Sequence, residues 1–137
     1  MPAKDRVFRF QLDLASGVPV YRQLIDQVLI ARSSEVLRPG DRLPTVRQVA
    51  VDLSINPNTV VRAYKELEIR GILSTQQGTG TFITTQKVKQ DDAARQRRLA
   101  QMVSDLVARA GVEGFAVTEI RKTFDDLFSE EERKKRS

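Results

Sequence analysis

The stretch from Arg42 to Arg70, RLPTVRQVAVDLSINPNTVVRAYKELEIR, constrains the fold more than any other part of the chain, because it holds two amphipathic helical patterns back to back. Each opens on its own cap. In the first, Thr45 follows Pro44 and stands three residues before Gln48, a capping-box spacing, and Val46, Val49, Ala50 and Leu53 then recur along one helical face. In the second, Asn56 is a good N-cap and Pro57 sits in the first turn, where its missing N–H costs nothing. Val60, Ala63, Tyr64 and Leu67 form the apolar stripe up to Gly71, a helix stop. Ser54 and Ile55 make too short a link for antiparallel helices in full side contact, so a steep helix-turn-helix crossing follows.

If Val60, Ala63 and Leu67 face inward, then Asn58, Val61, Arg62 and Lys65 share the outward stripe, with Thr59 near the helix start. An amide, a small apolar group and two cations on one exposed face suit a major groove, where side chains meet base edges. The free N–H groups of the helix N-terminus are expected to favour phosphate. Arg47, off the apolar face of the first helix, is expected to contact backbone or base from the groove rim. Two capped helices also occur in unrelated bundles with merely solvated cations, so this pair alone leaves both readings open.

The continuation favours the helix-turn-helix reading. Ile72 and Leu73 begin a β-favouring run, Thr75 to Thr81 makes a polar turn carrying Gly78, Thr79 and Gly80, and Phe82 and Ile83 resume the apolar run. A two-stranded hairpin directly after a reading helix is the wing of a winged helix. Its side-chain-free glycines let the tip approach a sugar-phosphate edge or minor groove.

These residues carry a family resemblance. LPTVRQVAVDLSINPNTVVRAYKELEIRGIL followed by GTGTF resembles the DNA-binding signature of the GntR family of bacterial transcription regulators, and the INPNTV, RAY and LE wording resembles its YtrA-type subfamily in particular. The likeness covers roughly residues 10 to 84, and a motif extending through helix, turn, helix and wing is highly specific. It implies that Arg47 contacts operator DNA, that Asn58 and Thr59 start the recognition helix, and that Gly78 and Gly80 form the wing tip. Val61 departs from the arginine found in many members outside this subfamily, which puts that arginine's base contact in doubt here; a valine suits a thymine methyl instead. The resemblance further implies a dimer joined through a short helical C-terminal region, and target genes that often include the regulator's own operon and a neighbouring membrane transporter.

Bulk properties agree. At 137 residues and 40% hydrophobic the chain forms one small domain plus an appendage rather than two independent cores. Residues 1–88 hold 12 Lys and Arg against 8 Asp and Glu, a net of +4, while the remainder holds 11 against 10. The positive excess sits with the helix-turn-helix part, which is consistent with a polyanionic partner but too small to establish nucleic-acid binding unaided. Cysteine is absent, so no disulfide framework forms. No apolar run approaches a bilayer span and MPAKDRVFRF lacks a signal peptide's hydrophobic region, so a soluble cytoplasmic protein without membrane contact is expected.

Before the central stretch, Phe8, Phe10, Leu12 and Leu14 alternate with polar residues and are expected to lie inward on an extended segment. Ser16 to Pro19 is a turn. Val20, Tyr21, Leu24, Ile25, Val28 and Leu29 then give a helix of about four turns a wide apolar face that backs the helix-turn-helix. RPGDRLP breaks it.

After the wing, Thr84 to Arg98 reads as a linker or a solvated helix start. Leu99, Met102, Val103, Leu106, Val107 and Ala110 restore an apolar stripe, stopped by Gly111. Val112 to Phe115 is a loop, Thr118 caps, and Ile120, Phe124, Leu127 and Phe128 line a last helix with Asp125 and Asp126 opposite, before a charged tail expected to fray. Two helices with such stripes cannot cover both by packing on each other, and lone helical hairpins are rarely stable. The better cover is a second copy, placing two reading helices on successive major-groove faces. A pair of helices this short hardly encloses a metabolite, so an effector is left unidentified, with any pocket expected at an interface. The chain is too short for the aminotransferase-like domain that a further family branch carries.

Enzymatic chemistry is not expected. There is no histidine or cysteine, no P-loop, no GxGxxG and no clustered metal-ligand carboxylates, so no catalytic residue, metal or cofactor is assigned. The expected fold is mainly α with a small β-hairpin: an N-terminal winged helix-turn-helix over residues 1–85, and over 86–137 a linker and a short two-helix dimerisation region with a charged tail. The expected function is that of a sequence-specific DNA-binding regulator, most simply a repressor, held as a homodimer on a palindromic double-stranded operator. An architectural or RNA-binding protein, or a protein-interaction module, remains the alternative.

Overall fold

Burial of one stripe on each of three helices organises the N-terminal unit. The computed structural model describes residues 8–85 and 91–136, with 130–136 as backbone only. Helix α1 is Val20–Ser33, α2 is Val46–Leu53 and α3 is Pro57–Ile69. Their inward residues Leu24, Ile25, Val28, Val49, Ala50, Val60, Ala63, Tyr64 and Leu67 form one core with Phe10, Leu37, Leu43, Leu73 and Ile83. Both expected caps are present. Thr45 Oγ1 accepts the Gln48 N–H while Gln48 Oε1 accepts that of Thr45, and Asn56 Oδ1 accepts the Asn58 N–H at 2.8 Å. Between α2 and α3, Ser54 adopts left-handed backbone (φ 55°) and Ile55 N–H returns to the Ala50 carbonyl, which turns the chain within a few residues.

The sheet has one more strand than the hairpin alone. Strand β1 (Arg42–Leu43) joins β2 (Leu73–Gln76) and β3 (Gly80–Ile83) in an antiparallel sheet of order β1-β3-β2. Register places Arg42 opposite Phe82, and Leu73 opposite Ile83. Buried Leu43, Leu73 and Ile83 pin the base of the wing to the helical core.

The N-terminal segment is held by side chains rather than by a strand. Gln23 and Gln27 stand one turn apart on α1, and their amides act as a surrogate ladder: Gln27 accepts the Gln11 N–H at 2.9 Å and donates to its carbonyl, while Gln23 does both for Asp13. Phe10 is thereby buried and Phe8 and Leu12 half-buried, as the alternation predicts. Leu14 departs from it. It lies 82% exposed, because the chain already turns there, Ser16 N–H bonding back to the Asp13 carbonyl.

The chain divides into two compact units, Met1–Gln86 and Lys87–Ser137. In the second, α4 (Asp92–Val112) opens on an Asp91 cap, ahead of the apolar stripe at Leu99, so the latter part of the expected linker is helix; residues 86–90 lie outside the described residues. Gly111 does not stop α4. An exposed glycine costs only about 1 kcal/mol within a long helix, and the turn comes instead at Gly114 (φ 89°). Helix α5 (Val117–Arg136) opens without Thr118 as its cap: Glu119 Oε1 accepts the Ala116 N–H at 2.9 Å, and Thr118 lies inside the first turn. The charged tail, expected to fray, continues as α5 to Arg136, in keeping with the helix propensity of Glu, Lys and Arg.

Candidate nucleic-acid interface

The outward face of α3 is the one its burial pattern predicts. Asn58, Val61, Arg62 and Lys65 are exposed and Thr59 is half-buried, opposite a stripe of Val60, Ala63, Tyr64 and Leu67. Tyr64 fixes the rotation of α3 about its axis: its hydroxyl donates to the Pro44 carbonyl at 2.6 Å, tying the helix to the residue just before the cap of α2. Arg47 is exposed in the first turn of α2. Among the described residues, none of Arg47, Arg62 and Lys65 has a carboxylate within salt-bridge distance, so their charges stay available to a polyanion.

The helix N-terminus differs from its expected role. Asn56 accepts the Asn58 N–H through its side chain and the Thr59 N–H through its carbonyl, and Pro57 has no N–H to offer. A well-made cap satisfies the very donors that a phosphate would use. What remains at this end is the side chains and the helix dipole.

Two cations, Arg62 and Arg42, are placed by tertiary contacts. Arg62 does not simply project into solvent: its guanidinium carbon lies 3.7 Å from the centroid of the Tyr21 ring on α1. Arg42, on β1, lays its guanidinium against the wing, where a Cβ added at Gly80 would come within 2.9 Å of Arg42 Nε. Gly78 (φ 77°) and Gly80 (φ 138°) hold backbone that other residues rarely adopt, and Thr79 closes the tip through its N–H to the Gln76 carbonyl. Gly78 and Thr79 are exposed and Gly80 half-buried beneath Arg42.

The second unit presents apolar surface. No residue of α4 is buried; Leu99, Met102, Val103 and Leu106 on α4 and Phe124 and Leu127 on α5 are each about half exposed or more, while Val107, Ile120 and Phe128 are half-buried. Phe124 and Phe128 touch each other at 4.9 Å between ring centres. On α5, Lys122 pairs with Asp126 at 2.8 Å, and that hydrogen bond and charge raise the ammonium pKa.

A winged helix-turn-helix of this form has known counterparts. The bacterial regulatory proteins of the gntR family match over residues 20–83. The chain is 46% identical over 74 residues to the HTH-type transcriptional repressor YtrA of Bacillus subtilis (strain 168), covering 54% of this chain and 57% of that protein. It is 37% identical over 100 residues to the HTH-type transcriptional regulator YhcF of the same strain, covering 73% of this chain and 74% of that one. The chain belongs to the GntR family. Among solved structures it is similar to YtrA from Sulfolobus acidocaldarius, a GntR-family transcription factor, with 29% identity, a TM-score of 0.52, and coverage of 88% of this chain and 97% of that one.

Membership bears out the fold and the YtrA-type resemblance, and relatives named as transcriptional regulators bear out a non-enzymatic role. Among the described residues no helix is long and apolar enough to cross a membrane, and no cluster of His, Cys, Asp and Glu is arranged to hold a metal ion. The chain spans 57% of the YtrA relative's length. Within this GntR module the sequence pattern missed Tyr21 and Arg42. Tyr21 falls on the apolar stripe of α1, and the position of Arg42 depends on pairing with a strand about 40 residues away.

Proposed function

We propose that this protein is a transcriptional repressor that binds a palindromic double-stranded DNA operator as a homodimer, in the cytoplasm where that DNA is. Residues 1–85 serve as the DNA-binding domain, and 86–137 as linker and dimerisation region. The observation that carries this reading is the exposed stripe of Asn58, Val61, Arg62 and Lys65 on a helix whose opposite face is fully buried, beside a glycine-tipped wing. Such a helix enters a major groove with Asn58, Thr59, Val61 and Arg62 at base edges and Lys65 at phosphate. Arg47 reaches the same groove from α2. Gly78, Thr79 and Gly80 bring the wing close to the backbone, and Arg42 adds a cation there.

Dimerisation through Leu99, Met102, Val103, Leu106, Val107, Ile120, Phe124, Leu127 and Phe128 covers the apolar surface of α4 and α5. Two-fold symmetry then requires a pseudo-palindromic site with half-sites about one helical turn of DNA apart. Repression accords with the YtrA relative, which is named a transcriptional repressor; a dimer seated on a promoter would act by occluding it.

The deciding experiment is selection of bound duplexes by the purified chain, followed by gel shift against scrambled sequence. A palindromic consensus bound at least about 1,000-fold more tightly than scrambled duplex is expected. Arg47→Ala should abolish selective binding while the dimer persists in sedimentation. Equal binding to selected and scrambled duplex, or to single-stranded RNA, would replace the repressor by an architectural or RNA-binding protein.

A further inference from the structure

Arg62 lies on the exposed face of α3, yet it is held in place. Its guanidinium carbon lies over the Tyr21 ring at 3.7 Å from the centroid, too close for an edge-on approach, so the group stacks face-on, with no carboxylate partner among the described residues. A guanidinium is planar and all five of its N–H donors lie in that plane. Stacking therefore occupies a face and leaves every donor edge open, whereas an ion pair would have consumed two of them.

Orientation also has a thermodynamic consequence. A long exposed side chain must surrender rotamer freedom when it meets its ligand, and one already laid against a ring has surrendered part of it beforehand. Of the base edges in a major groove, guanine alone offers two acceptors, O6 and N7, spaced for a two-donor fork. A phosphate would gain little from a fixed plane, since a flexible lysine serves it as a point charge.

Tyr21 itself is only half-buried, on a helix whose core is otherwise closed by Leu24, Ile25 and Val28. An aliphatic side chain would fill that place. What an aliphatic residue lacks is a π face for a cation.

We propose that Tyr21 is a positioning residue that holds the Arg62 guanidinium in the plane needed for a bidentate contact to guanine, so that α1 sets specificity at one G·C pair of each half-site without touching it. This rests on the operator-binding reading above. Tyr21 then contributes to discrimination and very little to general affinity.

The test uses the full chain and the duplex selected by it, with every single-base variant of one half-site. Tyr21→Phe keeps the ring and should keep wild-type discrimination. Tyr21→Leu and the more pliable Tyr21→Met should lower discrimination at one G·C pair by about ten-fold, with scrambled-duplex affinity unchanged. Arg62→Lys should lose discrimination at that same pair, and combining it with Tyr21→Leu should add nothing further. In the absence of DNA, the Arg62 Nε proton should resonate upfield in the wild type and Tyr21→Phe, from the ring current, and return to its ordinary position in Tyr21→Leu and Tyr21→Met.

Loss of affinity spread evenly over all sequences would make Tyr21 a structural residue and overturn the proposal. So would unchanged discrimination in both aliphatic variants, or a loss located at an A·T pair. A wild-type chain that fails to separate selected from scrambled duplex defeats the operator reading itself, an outcome distinct from wild-type selectivity that survives loss of the stack.

Discussion

The Tyr64 hydroxyl on α3 donates to the carbonyl of Pro44, just ahead of the α2 cap, 2.6 Å apart and shielded from water. Removing the donor in Tyr64→Phe leaves a buried carbonyl unpaired, which costs about 1–3 kcal/mol. Burial also pushes the Tyr64 phenol pKa above its ordinary value near 10. Below that value both folded and unfolded chains keep the proton, and stability does not depend on it. Above it the unfolded chain releases the proton while the folded chain retains it, so stability falls with rising pH by about 1.4 kcal/mol per unit. Urea titrations from pH 9 to 11 should show the wild type losing stability more steeply than Tyr64→Phe, although the variant starts lower. Parallel curves would mean that the phenol ionises freely in the folded chain.

Ser54 occupies left-handed backbone at the end of α2, with φ 55°. A residue with a Cβ is strained there by about 1 kcal/mol, and glycine is not. Ser54→Gly should therefore raise stability by about 0.5–1 kcal/mol, read as a higher urea midpoint at unchanged slope. A lower midpoint would show that the serine side chain contributes more than its backbone costs.

The helices of the motif were legible because their signals are local. Thr45, Gln48, Asn56 and Pro57 cap within three residues of themselves, and the stripes of α1, α2 and α3 are the ones the structure buries. Strand β1 was not legible: two residues between a proline-glycine turn and a helix carry no period, and they become a strand only because β3 lies alongside. The amides of Gln23 and Gln27 look like ordinary solvated side chains until an extended segment needs a ladder. Gly111 misled because glycine marks a stop only where the backbone turns left-handed, and Gly114 does that. At the candidate interface the outward stripe could be read from helical period alone, whereas the ring beneath Arg62 and the cation over Gly80 are products of folding.

Gly80 combines backbone at φ 138° with a guanidinium packed where its Cβ would be. Gly80→Ala should cost stability through backbone strain, by about 1–2 kcal/mol, and displace Arg42 from the wing. If Arg42 meets a phosphate, Arg42→Ala should weaken binding alike on selected and scrambled duplex and reduce the slope of log affinity against log salt by about one. Adding Arg42→Ala to Gly80→Ala should then cost less affinity than it does in the wild type, because the cation has already moved. Full additivity would separate the two residues.

The last prediction concerns the apolar surface of α4 and α5, where Leu106 is 47% and Phe124 60% exposed. Because Leu106 is not part of a closed core within its own chain, Leu106→Glu should leave the helical signal in circular dichroism nearly intact. If this surface is the proposed subunit interface, an unpaired carboxylate placed in it is strongly disfavoured, and sedimentation should shift from dimer to monomer. Each reading helix would then bind its half-site alone. Loss of the linkage lowers affinity for the full operator by about two orders of magnitude or more, while affinity for an isolated half-site stays the same. A variant that remains dimeric would place the interface elsewhere. One that turns monomeric yet binds the full operator as before would show that each half-site is read independently and that the pairing of subunits serves another end.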